Sequence, residues 1–328
     1  LLGEFVSIKK YITNVFKKIS DGLRVATHEI VAELVEAART ISYVETVSNK
    51  ADTLHRYIKQ NEERDLKKAF EFNTRKAVGR MGLGKTILAV DITHELYYGK
   101  KGKMNVRQKR FEKGTGEAFA YVVLSVVKPK PLPLMALPYK QGDDLTSLVK
   151  ELLGYAKSLP ITIQCVLFDR GFYIGDLILY LSSEKIRYLI FVPQNEAMKK
   201  YIAQTNSNAS FNHTINYNKR KSWWKVQTRI DVIKDSTKDY FWCFATNLRQ
   251  SLYLISKYKQ RWQIETDFRV HDEARIKTKS NEPIVRYFYF LTSLILLANW
   301  EVNRLLHPEI CFKKYLKFVQ EEFEKENG

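Results

Sequence analysis

Apolar positions along this chain follow two rhythms. Short runs rich in β-branched residues and bounded by Gly, Pro or polar breakers predict strands, while three- and four-residue repeats predict helices. Strand-like runs cover 87–93, 118–127 and a Pro-punctuated 132–137. A helix over 143–158 then leads to a strand over 161–168 that runs into Asp169, and a helix over 175–183 leads to a strand over 188–192. Residues 1–75 read as helical: 21–40 carries an apolar stripe of Leu23, Ile30, Val31, Leu34 and Val35, and pieces over 44–47 and 51–60 flank a turn at Ser48 and Asn49. From 195 to 247 the pattern becomes β-alternation, at 213–217, 223–233 and 240–245. Residues 251–275 have helical spacing with no Pro or Gly, and helices over 283–306 and 311–325 close the chain. The expected organisation is an N-terminal helical domain (1–75), an α/β core (76–194), a β-rich insertion (195–247) and core helices (248–328).

Charge narrows the class of partner. The 328 residues carry 54 Lys and Arg against 36 Asp and Glu, a formal charge of +18. That excess suits a polyanion, because each cation placed on a phosphate releases condensed counterions. A membrane is not the expected polyanion, since the longest apolar stretch, 287–300, is too short to span and contains Thr292, Ser293 and Asn299. Residues 1–18 mix Glu4 with four lysines, unlike a signal peptide, and the start at Leu1 fits an incomplete N-terminus. Three scattered cysteines (Cys165, Cys243, Cys311) fit a reducing, cytoplasmic setting without a disulfide framework, and the six histidines show no metal-ligand spacing.

Three acids stand where chemistry is expected. Asp169 lies at the C-terminal end of its strand, the edge of an open α/β sheet where ligands gather, although a turn Asp would look the same in isolation. Asp91 interrupts the apolar run 87–93, and an Asp in a buried strand is costly unless paired, hydrogen-bonded or on a metal. In 251–275, Tyr258, Arg261, Glu265, Arg269 and Asp272 recur at three- and four-residue steps and share one helical face. A solvated charged face is the plainer reading, but Tyr258 and Trp262 stand beside those charges. Residues 79–86, Gly-Arg-Met-Gly-Leu-Gly-Lys-Thr, match the G-x-x-x-x-G-K-[ST] phosphate loop literally, which would put Lys85 on a γ-phosphate and Thr86 on magnesium in a P-loop ATPase. That loop needs a strand before it and a helix after it; here 70–78 is not a strand pattern and 86–93 is one, which favours a Gly-rich turn.

Two strand-end aspartates, the step Asp169-Arg170-Gly171-Phe172 and the spacing Tyr258-x2-Arg261-x3-Glu265 together resemble the DDE transposases of prokaryotic insertion sequences. More narrowly, they resemble the cut-and-paste branch with a Tyr-Arg-Glu-Lys signature. Tyr97-Tyr98-Gly99 downstream of Asp91 and the helix over 284–300 are further local matches, and the resemblance covers about 87–306. Three strands, then helix, strand, helix, strand, is similar to a ribonuclease-H-like core: α/β, a mixed sheet flanked by helices, with Asp91 and Asp169 on adjacent central strands. The resemblance implies that Asp91, Asp169 and Glu265 are catalytic and hold two Mg2+ ions, with Mn2+ able to substitute. It implies cleavage at transposon terminal inverted repeats and strand transfer into target DNA, by a nucleoid-associated enzyme that is a homodimer on DNA. Tyr258 and Arg261 would contact the transposon-end backbone, with Arg170, Trp262 and Arg269 as further DNA contacts. One departure is Asp272, where the family has Lys seven residues after the Glu; Lys277 and Lys279 are the candidates to reach the same phosphate. A catalytically inactive DNA-binding remnant is the alternative that this departure leaves open.

Two other segments are expected on DNA. The pieces at 44–47 and 51–60 have helix-turn-helix proportions, with Lys50, Arg56 and Lys59 on the second helix, though a helical bundle packed on the core has the same pattern. Lys219 and Arg220 precede Trp223 and Trp224, a combination suited to phosphate contact plus stacking on an unpaired base; the core of a small sheet would use the tryptophans equally well.

Overall fold

In the computed structural model, which describes residues 27–99, 107–219, 222–235, 237–249, 253–273 and 275–325, the sheet is built outward from β1 (Lys85–Leu96). β1 pairs antiparallel with β3 (Thr115–Lys128) and parallel with β5 (Thr162–Phe168). β4 (Leu132–Pro138) lies outside β3, and β6 (Tyr188–Val192) runs parallel beside β5. The order β4-β3-β1-β5-β6 is that of a ribonuclease-H-like core, with the strands bearing Asp91 and leading to Asp169 adjacent. β2 (Arg107–Glu112) joins β3 through a two-residue turn, Lys113-Gly114, with φ of 46° and 87°; both central residues of such a hairpin sit at positive φ. The basic segment 107–113 therefore contains a strand that its charge concealed in the sequence.

The β-rich segment is continuous with this sheet. After α7 (Glu196–Ala203) come β7 (Ala209–Lys219), β8 (Ser222–Lys234) and β9 (Phe241–Thr246); β9 pairs with β6, which extends the core to nine strands. α7 was masked in the sequence by the surrounding alternation, yet it is capped by Asn195, whose side chain accepts from Met198 N at 3.1 Å.

Strand parity sorts the core. Leu88, Val90, Val166 and Phe168 belong to the larger apolar cluster, with α4 (Glu63–Met81), α5 (Leu145–Lys157), α6 (Gly175–Ser183) and α10 (Pro283–Asn303). Ile87, Ala89, Cys165 and Leu167 turn the other way, under α8 (Tyr253–Lys259) and α9 (Trp262–Asp272). α10 is buried on all sides from Tyr287 to Asn303, which explains its apolar length; no helix among the described residues is long and apolar enough to cross a membrane.

The N-terminal helices share the larger core. α1 (Thr27–Thr40) packs on α11 (Phe312–Lys325), and α3 (Ala51–Ile58) packs on α10, where His55 Nε2 lies 2.9 Å from Tyr289 Oη. Residues 21–26 of the first expected helix lie outside the described residues. The helix-turn-helix reading is corrected: α2 (Val44–Val47) is a single turn, and α3 buries Ala51, Leu54, His55 and Ile58 against the core, the arrangement of a packed bundle. The boundary expected at 75/76 falls inside α4. The phosphate-loop reading is also overturned. Gly82 (φ 56°) ends α4 and Gly84 (φ 55°) leads into β1, so the motif follows a helix C-terminus, whose partial negative charge repels phosphate. Thr86 is fully buried, with its hydroxyl 3.4 Å from the Thr162 carbonyl oxygen.

If α10 is the central support, Phe288→Ala should lower the unfolding free energy by about 3–5 kcal/mol, whereas Leu306→Ala, at a side chain 75% exposed, should stay within about 0.5 kcal/mol. Urea denaturation of the two variants checks this.

Candidate active site

Asp91 and Asp169 reach the same side of the sheet because each continues its strand's odd-numbered set: Ile87 and Ala89 in one, Cys165 and Leu167 in the other. Val90 pairs with Phe168, so the two aspartates follow at the same level of adjacent parallel strands. Asp91 Oδ1 accepts from Ile92 N at 2.9 Å. Asp169 caps the 3-10 turn Arg170–Phe172, its Oδ1 accepting from Gly171 N at 2.7 Å. A Cβ at Gly171 would stand 3.0 Å from that oxygen, Phe172 is fully buried against Phe168, and Arg170 projects outward. The Asp-Arg-Gly-Phe step is thus a carboxylate, an exposed cation, a close backbone approach and an anchor.

The helix expected over 251–275 is two helices. Arg261 N bonds Tyr258 O at 2.9 Å and Ile264 N bonds Arg261 O at 2.9 Å, tight i→i+3 bonds that separate α8 from α9. Tyr258 and Glu265 therefore do not lie on one continuous face. Tyr258, 4% exposed, sits among Phe191, Trp242 and Phe244 at ring distances of 5.7, 6.0 and 5.3 Å. Burial pushes its hydroxyl pKa up to about 12, against the pull of Arg261.

Arg261 joins the acids. Its Nη1 donates to Asp91 Oδ2 at 2.7 Å and its Nη2 pairs with Glu265 Oε1, while its buried Nε has no partner among the described residues. Burial works against its charge, but Asp91, Tyr258 and Glu265 hold it protonated. Burial raises the Asp91 pKa to about 6; Arg261 and the Ile92 amide oppose this, while Asp169 and Glu265 add to it. Asp91 thus feels both other carboxylates, with Arg261 as the opposing charge.

Beside Asp169 opens a cavity of about 490 Å³ bounded by Arg170, Arg261 and Lys238 and by five aromatic residues, Phe191, Tyr240, Trp242, Tyr258 and Trp262. Trp262 is 49% exposed, and the Trp242 indole donates to Asp235 Oδ2 at 3.2 Å. Sequence reasoning missed Phe191, Tyr240, Trp242 and Lys238, which come from the insertion and the end of β6; the recurrence of aromatics at alternate positions 240, 242 and 244 was the available signal.

Among the described residues no three His, Cys, Asp or Glu side chains form a ready-made metal cluster, because Arg261 lies between the acids. The donor set nonetheless fits a hard divalent cation: it is all carboxylate oxygen, with excess negative charge.

The other expected contacts lie elsewhere. Trp223 and Trp224, 76% and 52% exposed, stand near the β7–β8 turn, so they are not sheet core. Arg220 and the Lys219 side chain lie outside the described residues. Lys50 pairs with Glu29, whereas Arg56, Lys59 and Arg269 are exposed. Lys277 and Lys279 follow α9 and line a separate groove. Asp272 is exposed; burial tends to raise its pKa, but the His271 hydrogen bond and charge, then Arg275 and Lys113, hold it below the ordinary range.

The family model for the transposase DDE domain matches residues 133–297, half of the chain. That segment contains Asp169 and Glu265; Asp91 lies upstream and joins them through the geometry of β1. No curated protein matches the sequence significantly. The fold is similar to that of piggyBac transposase in a cryo-EM structure of its synaptic complex with hairpin DNA, at 11% identity and a TM-score of 0.64, over 98% of this chain and 79% of that one.

The folded state keeps a proton on Asp91 to about pH 6, whereas the unfolded chain releases it near the ordinary 3.8. The resulting stabilisation is complete below about pH 4 and is lost as the pH rises through 6; the full shift is worth about 3 kcal/mol. A carboxyl infrared band titrating near pH 6, absent in Asp91→Asn and moved to lower pH by Mn2+, is the expected signature.

Proposed function

This chain belongs to the transposase DDE-domain family, and on that premise we propose that Asp91, Asp169 and Glu265 are its catalytic carboxylates. The protein is a DNA transposase, and the family works with divalent metal ions. The observation that supports the assignment is that Asp91 and Glu265 share one buried guanidinium while Asp169 stands level with Asp91 on the adjacent parallel strand.

We assign Mg2+, as two ions with Mn2+ able to replace them, to these oxygens. When bound, such ions supply Lewis-acid chemistry for phosphoryl transfer, aiding the attacking water or 3′-hydroxyl and the departing oxygen. The protein's own groups do the positioning. The Gly171 amide orients Asp169, and the Ile92 amide orients Asp91. Arg261, paired through Nη1 with Asp91 and through Nη2 with Glu265, would meet a phosphate only by giving up one of these acids, the exchange that an arriving cation would favour. Arg170 and Lys238 bring further positive charge to the mouth of the neighbouring cavity, whose aromatic walls suit stacking on an unpaired base. Duplex DNA carrying terminal inverted repeats, and then target DNA, are the proposed partners, with a homodimer on the DNA. The spacing Tyr258-x2-Arg261-x3-Glu265 supports the cut-and-paste branch of prokaryotic insertion sequences. The exposed Trp223 and Trp224 are proposed as an outlying stacking contact, with Lys219 and Arg220, and Arg269, Arg56 and Lys59 as backbone contacts.

Cleavage of terminal-repeat DNA in Mg2+ or Mn2+ tests the assignment. Asp169→Ala and Glu265→Ala should each lower the rate at least ~100-fold while leaving end binding intact. Full activity in either variant would refute the assignment; binding without cleavage by the parent protein would mark an inactive remnant.

A further inference from the structure

One motif has no role in the catalytic site: Tyr97-Tyr98-Gly99, at the far end of β1. It lines a groove of about 980 Å³ between the end of β1, the β2–β3 turn, the segment 275–281 and Tyr43. The groove lies on the catalytic side of the strand. Asp91, Thr93 and Glu95 alternate along β1 without a register break, opposite Val123, Tyr121 and Phe119, so Glu95 shares a face with Asp91 about 13 Å further on.

The walls are fixed by the backbone. Val44 N donates to Lys277 O at 2.9 Å and Lys277 N to Ser42 O at 3.3 Å, pairing the segment after α9 with the N-terminal helices. Glu45 Oε1 accepts from Lys279 N at 2.8 Å and from Thr278 Oγ1 at 2.6 Å. A Cβ at Gly99 would collide with the Tyr97 ring, which packs edge-on against Phe119, so the Tyr-Tyr-Gly step shapes the rim and leaves Tyr98 66% exposed.

The charge of the groove is one-sided. Among the described lining residues the acid is Glu95, which is nearly buried and is matched by Arg275 Nε at 3.0 Å, with Arg286 Nη1 at 3.9 Å; Glu45 lies behind the wall, bonded to Thr278 and Lys279 N. Lys113, Lys277 and Lys279 are exposed around it and make no ion pair among the described residues, although the Lys113 charge is felt by Asp272. Lys279 Nζ lies 5.9 Å from the centre of the exposed Tyr43 ring, which holds the ammonium at the rim.

We propose that this groove is a second backbone-binding site for duplex DNA, in which Lys113, Lys277 and Lys279 hold phosphates flanking the phosphodiester at the acids; the ~13 Å along β1 from Asp91 to Glu95 corresponds to about four base pairs at ~3.4 Å each. This places Lys277 and Lys279 on flanking duplex rather than on the reacting phosphate, and it rests on the catalytic reading above. The three lysines come from separate parts of the chain, the β2–β3 turn and the segment after α9, and converge only in the fold.

The test measures binding of the full chain to a mixed-sequence duplex by fluorescence anisotropy across a salt series. Sequence is immaterial to phosphate contacts, and each contact adds about 0.9 to the slope of log K against log salt. The triple variant Lys113→Ala, Lys277→Ala, Lys279→Ala should have a slope shallower than the parent's by about 2–3, with an unchanged thermal midpoint. Lys277→Glu should weaken binding further than Lys277→Ala. A triple variant whose slope equals that of a DNA-binding, DNA-cleaving parent overturns the groove alone. A parent that binds no duplex overturns the groove and the catalytic reading together.

Discussion

One guanidinium between two carboxylates is the constraint on which the site depends. Glu265 lies on a short helix, and its side chain is half exposed. Nothing in strand geometry brings it to Asp91; Arg261 does, by spanning from α9 to β1. The guanidinium is itself buried, so the pairing has a desolvation cost that only well-placed partners offset, and removing one partner would strand the other's charge. The sheet supplies the remaining acid independently, through the parallel register of β1 and β5 and the Gly171 turn. Two adjacent strands set Asp91 and Asp169 level, and one ion-paired helix brings Glu265 to the guanidinium that Asp91 shares.

The same strand fixes the far end of α9. Asp91 meets Arg261 before the helix, and Glu95, four residues along β1, meets Arg275 beyond it. A helix tied at both ends to one strand cannot slide along it without breaking a buried pair, which keeps Glu265 in register with Asp91. Arg261 also connects charge to ligand. It shares its positive charge between two acids, one of which, Asp91, burial holds above the ordinary carboxylate range. A phosphate that draws Arg261 away would increase the demand of the acids for cations.

Much of this was legible in the sequence because it is carried by local pattern. The strands at 118–127 and 188–192, the helix at 175–183 and the two strand-associated aspartates follow from apolar runs and breakers, which burial enforces directly. Long-range and cooperative features were not legible. The break at Gln260–Arg261 involves no Gly or Pro and is set by tertiary demand, with Tyr258 drawn into an aromatic core while Arg261 turns to Asp91. The insertion's continuity with the core depends on β6 pairing with β9 across more than fifty residues, which no local rhythm records. The phosphate-loop match failed for the converse reason: its letters were right, but the dipole at the end of α4 points the wrong way. Arg275, Glu95 and Lys113 carried no local signal, since single charges in polar stretches acquire meaning only from what the fold sets opposite them.

The most direct test of the central claim is an anomalous difference map from crystals of the full chain soaked in Mn2+. The account predicts density bonded to oxygens of Asp91 and Asp169, with Arg261 displaced from at least one of its two acids. Mn2+ bound elsewhere, with Arg261 still joining Asp91 to Glu265 at saturating metal, would contradict it.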